Sequence, residues 1–219
     1  MLSKKILLTI IFSLSVFAIS AQTWTCEKIA SDIEFFNNAK SGNNKWAQAI
    51  KTAFPLNQND QIELNYVLCC SDTLSRTELI ALTEGWLGVV FTNAKDQIQE
   101  SNENKTLCVG ELGQVAFEQK FIGATRIMAP LEISVLYKDN RVRLTLLTRN
   151  YRMAYANVGT LESGTMIISS TFPFQKSKHK SAYAMAYINT ISKLLNLADG
   201  YLNYLNKNTA VVDETIPEW

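Results

Sequence analysis

The sequence predicts an α+β domain in which an antiparallel sheet is backed by helices, with a helical extension in front of it. Three observations carry this reading. QIELNYVLCC and LEISVLYKDNRVRLTLLT alternate apolar and polar residues with the two-residue period of half-buried strands. SRTELIALTEGWLGVVF and the stretch from Ala184 to Leu205 carry apolar residues at helical spacing. The elements then run strand, helix, four strands and a closing helix.

The chain opens MLSKKILLTIIFSLSVFAISAQ, with Lys4 and Lys5 ahead of an apolar run and small residues at Ala18, Ser20 and Ala21. This is the layout of a secretory signal peptide cleaved after Ala21, too short and wrongly flanked for a lasting membrane span. TWTC around Cys26 lacks the small, apolar approach of a lipoprotein cysteine. The expectation is an exported protein, periplasmic or extracellular. Loss of Lys4 and Lys5 turns 21 basic residues into 19 against 20 acidic ones, a charge of −1. A near-neutral chain is not built for wholesale phosphate binding, so nucleic acid is not expected as a partner. The expected organisation is a signal at 1–21, a helical segment and linker at 22–60, an α+β domain at 61–206 and an acidic tail at 207–219.

From Trp24 to Phe54, Ile29, Ile33 and Phe36, then Trp46, Ile50 and Phe54, fall at helical spacing around a break at Ser41-Gly42. In QIELNYVLCC, Ile62, Leu64, Tyr66, Leu68 and Cys70 share one face, and Glu63, Asn65, Val67 and Cys69 the other. Ser75 and Glu78 stand at capping-box spacing, with Leu74 and Leu79 at the staple positions. The helix they open has an apolar stripe of Leu79, Leu82, Trp86, Val89 and Val90, and Gly85 and Gly88 would let its backbone approach the sheet.

Asp96 to Phe117 reads as strand, polar turn at Asn102 to Asn104, and a strand carrying Leu107 and Val109 inward, with Cys108 pointing away. A loop follows from Glu118 to Pro130. With Asp139-Asn140 as a two-residue turn, Tyr137 faces Val142, Val135 faces Leu144 and Ile133 faces Leu146. The other face pairs Leu136 with Arg143, Ser134 with Thr145 and Glu132 with Leu147. TMIISSTF from Thr165 reads as a further strand. In the closing helix Ala184, Ile188, Ile191, Leu195, Ala198, Leu202 and Leu205 form one stripe.

Strand QIELNYVLCC, helix SRTELIALTEGWLGVVF, hairpins DQIQESNENKTLCVG and YKDNRVRLTLL, the later TFPF and the final helix together resemble a family of exported bacterial domains of unknown function. The carrying features are Trp86 late in the first helix, the AKDQIQ approach to the second strand and the KDNRVR turn, over about Gln61 to Leu205. That family is described as having a TBP-like fold, β-α-β(4)-α, so the resemblance implies this fold and export. It carries over no catalytic residue, because the family has no established reaction. This chain has Asn140 where the family usually shows glycine, and Trp24 to Phe54 lies outside the resemblance.

Chemistry is sparse. Alternation sends Cys69 and Cys70 to opposite faces, which argues against joint metal ligation, and no CxxC motif is present. In an exported chain, disulfides to Cys26 or Cys108 stay open; setting the vicinal pair aside leaves two full pairings. In the TBP-like order Cys69 and Cys108 would lie on strands too far apart to bridge. His179 is the single histidine, within QKSKHK. There is no phosphate-binding glycine pattern and no conspicuous carboxylate pair. No catalytic residue, metal or cofactor is therefore expected. Lys138, Arg141, Arg143, Arg149 and Arg152 form a basic stripe, read as a solvated face whose edge charges discourage strand pairing.

Besides its core stripe the closing helix carries Tyr183, Tyr187, Leu194, Leu197, Tyr201 and Tyr204, a belt wider than one sheet contact needs. Tyr183, Tyr187, Leu194, Tyr201 and Tyr204 are the candidate partner or ligand surface, unless the N-terminal helices cover them. The expected function is a non-enzymatic binding module for a protein or cell-envelope component. A carrier of an apolar small molecule between sheet and closing helix is the alternative, and a hydrolase the third.

Overall fold

The computed structural model describes residues 24–41, 46–70, 74–120, 123–138, 140–157, 160–171 and 180–209. The expected signal, His179 and residues 210–219 of the tail lie outside them. The fold is α+β, an antiparallel sheet with helices packed on it.

The N-terminal segment holds strand β1 (Trp24–Thr25) and helices α1 (Glu27–Ser41) and α2 (Trp46–Ala53). The helices stop and restart where the sequence breaks, but Trp24 is strand, not helix. Its amide donates to Asn206 Oδ1 (2.6 Å) and its carbonyl accepts from Asn206 Nδ2 (3.1 Å), so one asparagine satisfies both backbone groups. β1 pairs with strand β2 (Ile62–Cys70), Trp24 opposite Cys70. Along β2 every second residue from Ile62 to Cys70 is buried, as the alternation requires.

Helix α3 (Arg76–Val90) opens on the expected capping box: Glu78 N–H donates to Ser75 Oγ (3.2 Å) and Ser75 N–H to the Glu78 carboxylate (2.8 Å). The Ser75 hydroxyl also donates to that carboxylate (2.7 Å), and this bond first and the Ser75 amide second lower the pKa of Glu78. Its buried face is Leu79, Thr83, Trp86 and Leu87, whereas Val89 is 75% exposed. The apolar stripe misplaced this face because a threonine completes it. Thr83 Oγ1 bonds Leu79 O and the Tyr201 hydroxyl (both 2.8 Å), which makes it tolerable in the core. Gly85 lets α3 approach the closing helix rather than the sheet, since a Cβ there would stand 2.4 Å from Tyr204 Oη.

After the short helix α4 (Ala94–Gln97) come strands β3 (Ile98–Ser101), β4 (Lys105–Lys120), β5 (Gly123–Lys138) and β6 (Arg141–Thr148). Two expectations fail here. Thr106 and Cys108 face the core while Leu107 is half-buried and Val109 exposed, the reverse of the predicted parity. TLCV has apolar residues on both faces, and the Tyr137 hydroxyl donating to Thr106 Oγ1 (2.7 Å) admits the polar member inside. The expected loop from Glu118 to Pro130 is instead, in its described residues, the end of β4 and the first half of β5; residues 121–122 lie outside them. Two register shifts, at Glu111/Gly113 and Gln114/Ala116, bend β4, and Gly113 takes φ +73° at the first. That irregularity hid the strand from a two-residue periodicity.

The β5–β6 hairpin has the predicted register throughout, from Tyr137↔Val142 to Glu132↔Leu147. Asn140 supplies the left-handed turn residue with φ 57°, a conformation that asparagine tolerates well. Two further strands, β7 (Tyr151–Asn157) and β8 (Thr160–Met166), exceed the four expected after the first helix. The predicted strand TMIISSTF ends at Met166, and Ile168–Thr171 is the one-turn helix α5. The closing helix α6 spans Lys180–Thr209.

The sheet order is β1-β2-β6-β5-β4-β3, with β7 and β8 branching from the first half of β5. One face carries Leu64, Tyr66, Leu68, Ile133, Val135, Leu144 and Leu146, all buried. α6 crosses this face, and its Lys193 Nζ donates to Leu112 O (2.6 Å) and Gln114 O (3.0 Å) while Asn189 Nδ2 donates to Val115 O (2.8 Å). Polar side chains of the helix thus satisfy the carbonyls that the β4 bulges free. Among the described residues no helix is long and apolar enough to cross a membrane.

Candidate binding surface

Three of the five candidate residues on the closing helix do not lie at the surface. Tyr187, Leu194 and Tyr201 are fully buried, and Tyr183 and Tyr204 are half-buried. The Tyr187 hydroxyl donates to Phe54 O, at the end of α2. Tyr201 packs on Trp86 with ring centroids 4.7 Å apart and bonds Thr83. The belt is wide because α6 is covered twice, by the sheet below and by α1, α2 and α3 beside it. Burial pushes the Tyr187 and Tyr201 hydroxyls well above the ordinary tyrosine range. This is the alternative that the sequence left open, coverage by the N-terminal helices, extended by α3.

The surface lacking a helix among the described residues is the opposite face of the sheet. Register fixes its occupants. One row runs Val67, Arg143, Leu136, Lys105 across β2, β6, β5 and β4, and the row beside it runs Cys69, Arg141, Lys138. Val67, Val109, Phe117, Leu136 and Leu161 all project here, between 38% and 75% exposed, and make up five of the nine large apolar side chains exposed among the described residues. Val67 and Leu136 were legible as outward positions, whereas Val109 was assigned to the core.

Charge on this face is lopsided. Lys105, Arg126, Lys138, Arg141, Arg143, Arg149 and Arg152 meet Glu63, Glu100, Glu111 and Glu132, seven cations against four carboxylates. Three pairs form among the described residues: Arg149 grips Glu132 through Nε (3.0 Å) and Nη2 (2.6 Å), Arg152 pairs with Glu111, and Lys105 lies 3.3 Å from Glu100. Glu63 accepts from Asn57 and Asn65 (2.6 Å each), bonds that hold its carboxyl below the usual range. Among the described residues no carboxylate pairs with Lys138, Arg141 or Arg143; Asp72 and Asp139 lie outside them. The basic stripe therefore divides into a neutralised end and a cationic end. β6 is an interior strand between β2 and β5, so Arg141 and Arg143 do not guard an edge, contrary to the sequence reading.

Val67, Leu136, Lys138, Arg141 and Arg143 line a shallow depression of about 220 Å³ at this cationic end. A second one of about 260 Å³ opens between α6 and the sheet, lined by Phe91, Leu112, Leu131 and Leu197 with Lys193 and Asn196 at its rim. Cys69 is exposed, Cys70 and Cys108 are buried, and all four cysteines are free thiols. Burial pushes the Cys108 thiol up to about 11. No group of three or more His, Cys, Asp or Glu side chains among the described residues could hold a metal ion.

No family model matches the sequence, and no curated protein matches it. Among solved structures the chain is similar to a TBP-like protein from Parabacteroides distasonis, at TM-score 0.46 and 12% identity, covering 68% of this chain and 97% of that one. It is also similar to a DUF4468 family protein from Bacteroides ovatus, at TM-score 0.45 and 12% identity, covering 69% of this chain and 94% of that one.

Proposed function

We propose that this chain is an exported, non-catalytic binding module whose docking surface is the helix-free face of its sheet. The partner is a polypeptide segment that presents carboxylates and apolar side chains in alternation. The observation that carries this is the coincidence of exposed apolar side chains and surplus positive charge on one face of a chain whose formal net charge is +1, and −1 once Lys4 and Lys5 are lost. Arg143 standing between Val67 and Leu136 offers two apolar contacts and one cation at strand spacing, which suits an extended acidic segment. The signal-like N-terminus supports export. A role without catalysis fits the thiols, one exposed alone and two sealed in the core.

The test uses defined probes at physiological ionic strength: a glutamate–tyrosine copolymer, a lysine–tyrosine copolymer and a DNA duplex. Only the first is expected to bind. Arg141→Ala with Arg143→Ala, and separately Val67→Ser with Leu136→Ser, should each weaken it about tenfold. Binding that ignores the apolar pair would be counterion attraction and would overturn the reading, as would preference for DNA.

Carriage of an apolar small molecule is a second reading, favoured by the depression between α6 and the sheet. At about 260 Å³ it falls below the range of drug-sized ligand sites, roughly 300–1,000 Å³, so it ranks behind.

A further inference from the structure

We propose that the chain's own C-terminal segment, residues 210–219, is an intramolecular occupant of the cationic end of the sheet face and competes there with the external partner. The inference rests on the docking surface proposed above. Three observations point to it.

The first is where α6 ends. Thr209 lies one turn beyond Asn206, which bonds both backbone groups of Trp24. Trp24 faces Cys70 across the β1–β2 pair, and the Cys70 amide donates to Asn140 O (2.9 Å) in the turn between Lys138 and Arg141. A helical turn of about 5.4 Å, a strand spacing of about 5 Å and a short hairpin step put Thr209 within roughly 20 Å of Arg141. Ten residues reach about 33 Å when extended, enough to round the sheet end.

The second is charge. The segment AVVDETIPEW carries Asp213, Glu214 and Glu218 and no lysine or arginine, and the depression it would meet carries Lys138, Arg141 and Arg143. Within a Debye length of about 8 Å such opposed clusters attract. The third is apolar complementarity. Val211, Val212, Ile216 and Trp219 flank the acids in blocks, and Val67 and Leu136 flank Arg143 on the sheet. Tethering raises the local concentration of the segment to roughly the millimolar range, so modest affinity suffices for occupancy.

Zero-length carbodiimide coupling on the full chain tests this. An amide link between Lys138 and Asp213, Glu214 or Glu218 is expected in peptide mass spectra, with a yield unchanged on dilution. The Lys105–Glu100 pair, 3.3 Å apart, serves as the internal control. A synthetic peptide of residues 210–219 is then titrated into the native chain and into the Asp213→Asn, Glu214→Gln, Glu218→Gln variant. Release of the tethered competitor should make the peptide bind the variant about fivefold tighter or more, and Arg141→Ala with Arg143→Ala should abolish that binding. The control link without any tail link, or a tail link that vanishes on dilution, overturns the proposal. Equal peptide affinity for both chains overturns it while leaving the docking surface intact. Binding to neither overturns both.

Discussion

Gly85 and Gly88 stand less than a turn apart on α3, and a methyl group would meet opposite fates at the two. At Gly88 a Cβ has nothing within 4 Å, so Gly88→Ala should raise stability by up to about 1 kcal/mol through helix propensity alone. At Gly85 the same change drives a carbon against the Tyr204 hydroxyl, and displacing that ring should turn the gain into a loss of about 1–3 kcal/mol. Urea unfolding of the two variants checks this, and equal shifts would refute the close helix approach. The cysteines give a second contrast. Cys70→Ser and Cys108→Ser each place a hydroxyl in the core and should cost about 1–3 kcal/mol, whereas Cys69→Ser should stay within about 0.5 kcal/mol. A thiol reagent near pH 8 should label Cys69 first and Cys108 only on unfolding, because burial holds that thiol up to about 11. The two faces of VLCC were legible because β2 is regular from end to end, while Cys108 was misread because its neighbours Leu107 and Val109 are as apolar as it is.

Elements whose side chains satisfy one partner each were readable, and elements that serve two were not. The β5–β6 hairpin has a single buried face and one turn, so a slip by one residue would bury Arg143, and its register follows from sequence alone. The bent strand β4 has no constant period, because its freed carbonyls are capped by Asn189 and Lys193 more than 70 residues away. α6 misled in the opposite sense. Its tyrosine ridge looked like surplus apolar surface, yet Tyr187 and Tyr201 contact elements that precede it by well over 100 residues, which no local pattern announces. Tyr187→Ala and Tyr201→Ala should therefore each cost about 3–5 kcal/mol of stability, the figure for buried aromatic rings. Tyr187→Phe should cost about 1–2 kcal/mol by stranding the Phe54 carbonyl. Denaturant midpoints lowered by less than the Phe variant predicts would mean that the ridge is open after all. The apolar side chains of the outer sheet face could be placed from alternation, as Val67 and Leu136 were, but their grouping with cations that pair with no described carboxylate needed the strand order.

The whole molecule keeps its aromatic hydroxyls inside and its surplus charge outside, and this division sets how it responds to alkali. Tyr151, Tyr187 and Tyr201 are buried to the last few square ångströms, and burial raises each hydroxyl well above the ordinary value of 10.0. Tyr66 shifts the same way, first through burial and then through its bond to the Asp32 carboxylate (2.8 Å). A tyrosine is neutral when protonated, so a raised value in the folded state means that the native chain holds its proton where the unfolded chain has released it. The unfolded state then binds fewer protons, and stability falls as pH rises. The contribution is fully present below pH 10, the unfolded value, and drains away above it, at about 1.4 kcal/mol per pH unit for each such tyrosine. Cys108 acts with the same sign from its ordinary value of 9.0 upward. The expected result is a urea midpoint that is flat from pH 7 to about 9 and then falls steeply. Tyrosinate absorbance near 295 nm from Tyr151, Tyr187 and Tyr201 should appear late, together with loss of the circular dichroism of the helices. If Tyr187 and Tyr201 ionised before the helices melted, the rings that join α6 to α2 and α3 would have to be open to solvent. The packing that closes the helical face, and leaves the sheet face for the proposed docking, would then be wrong.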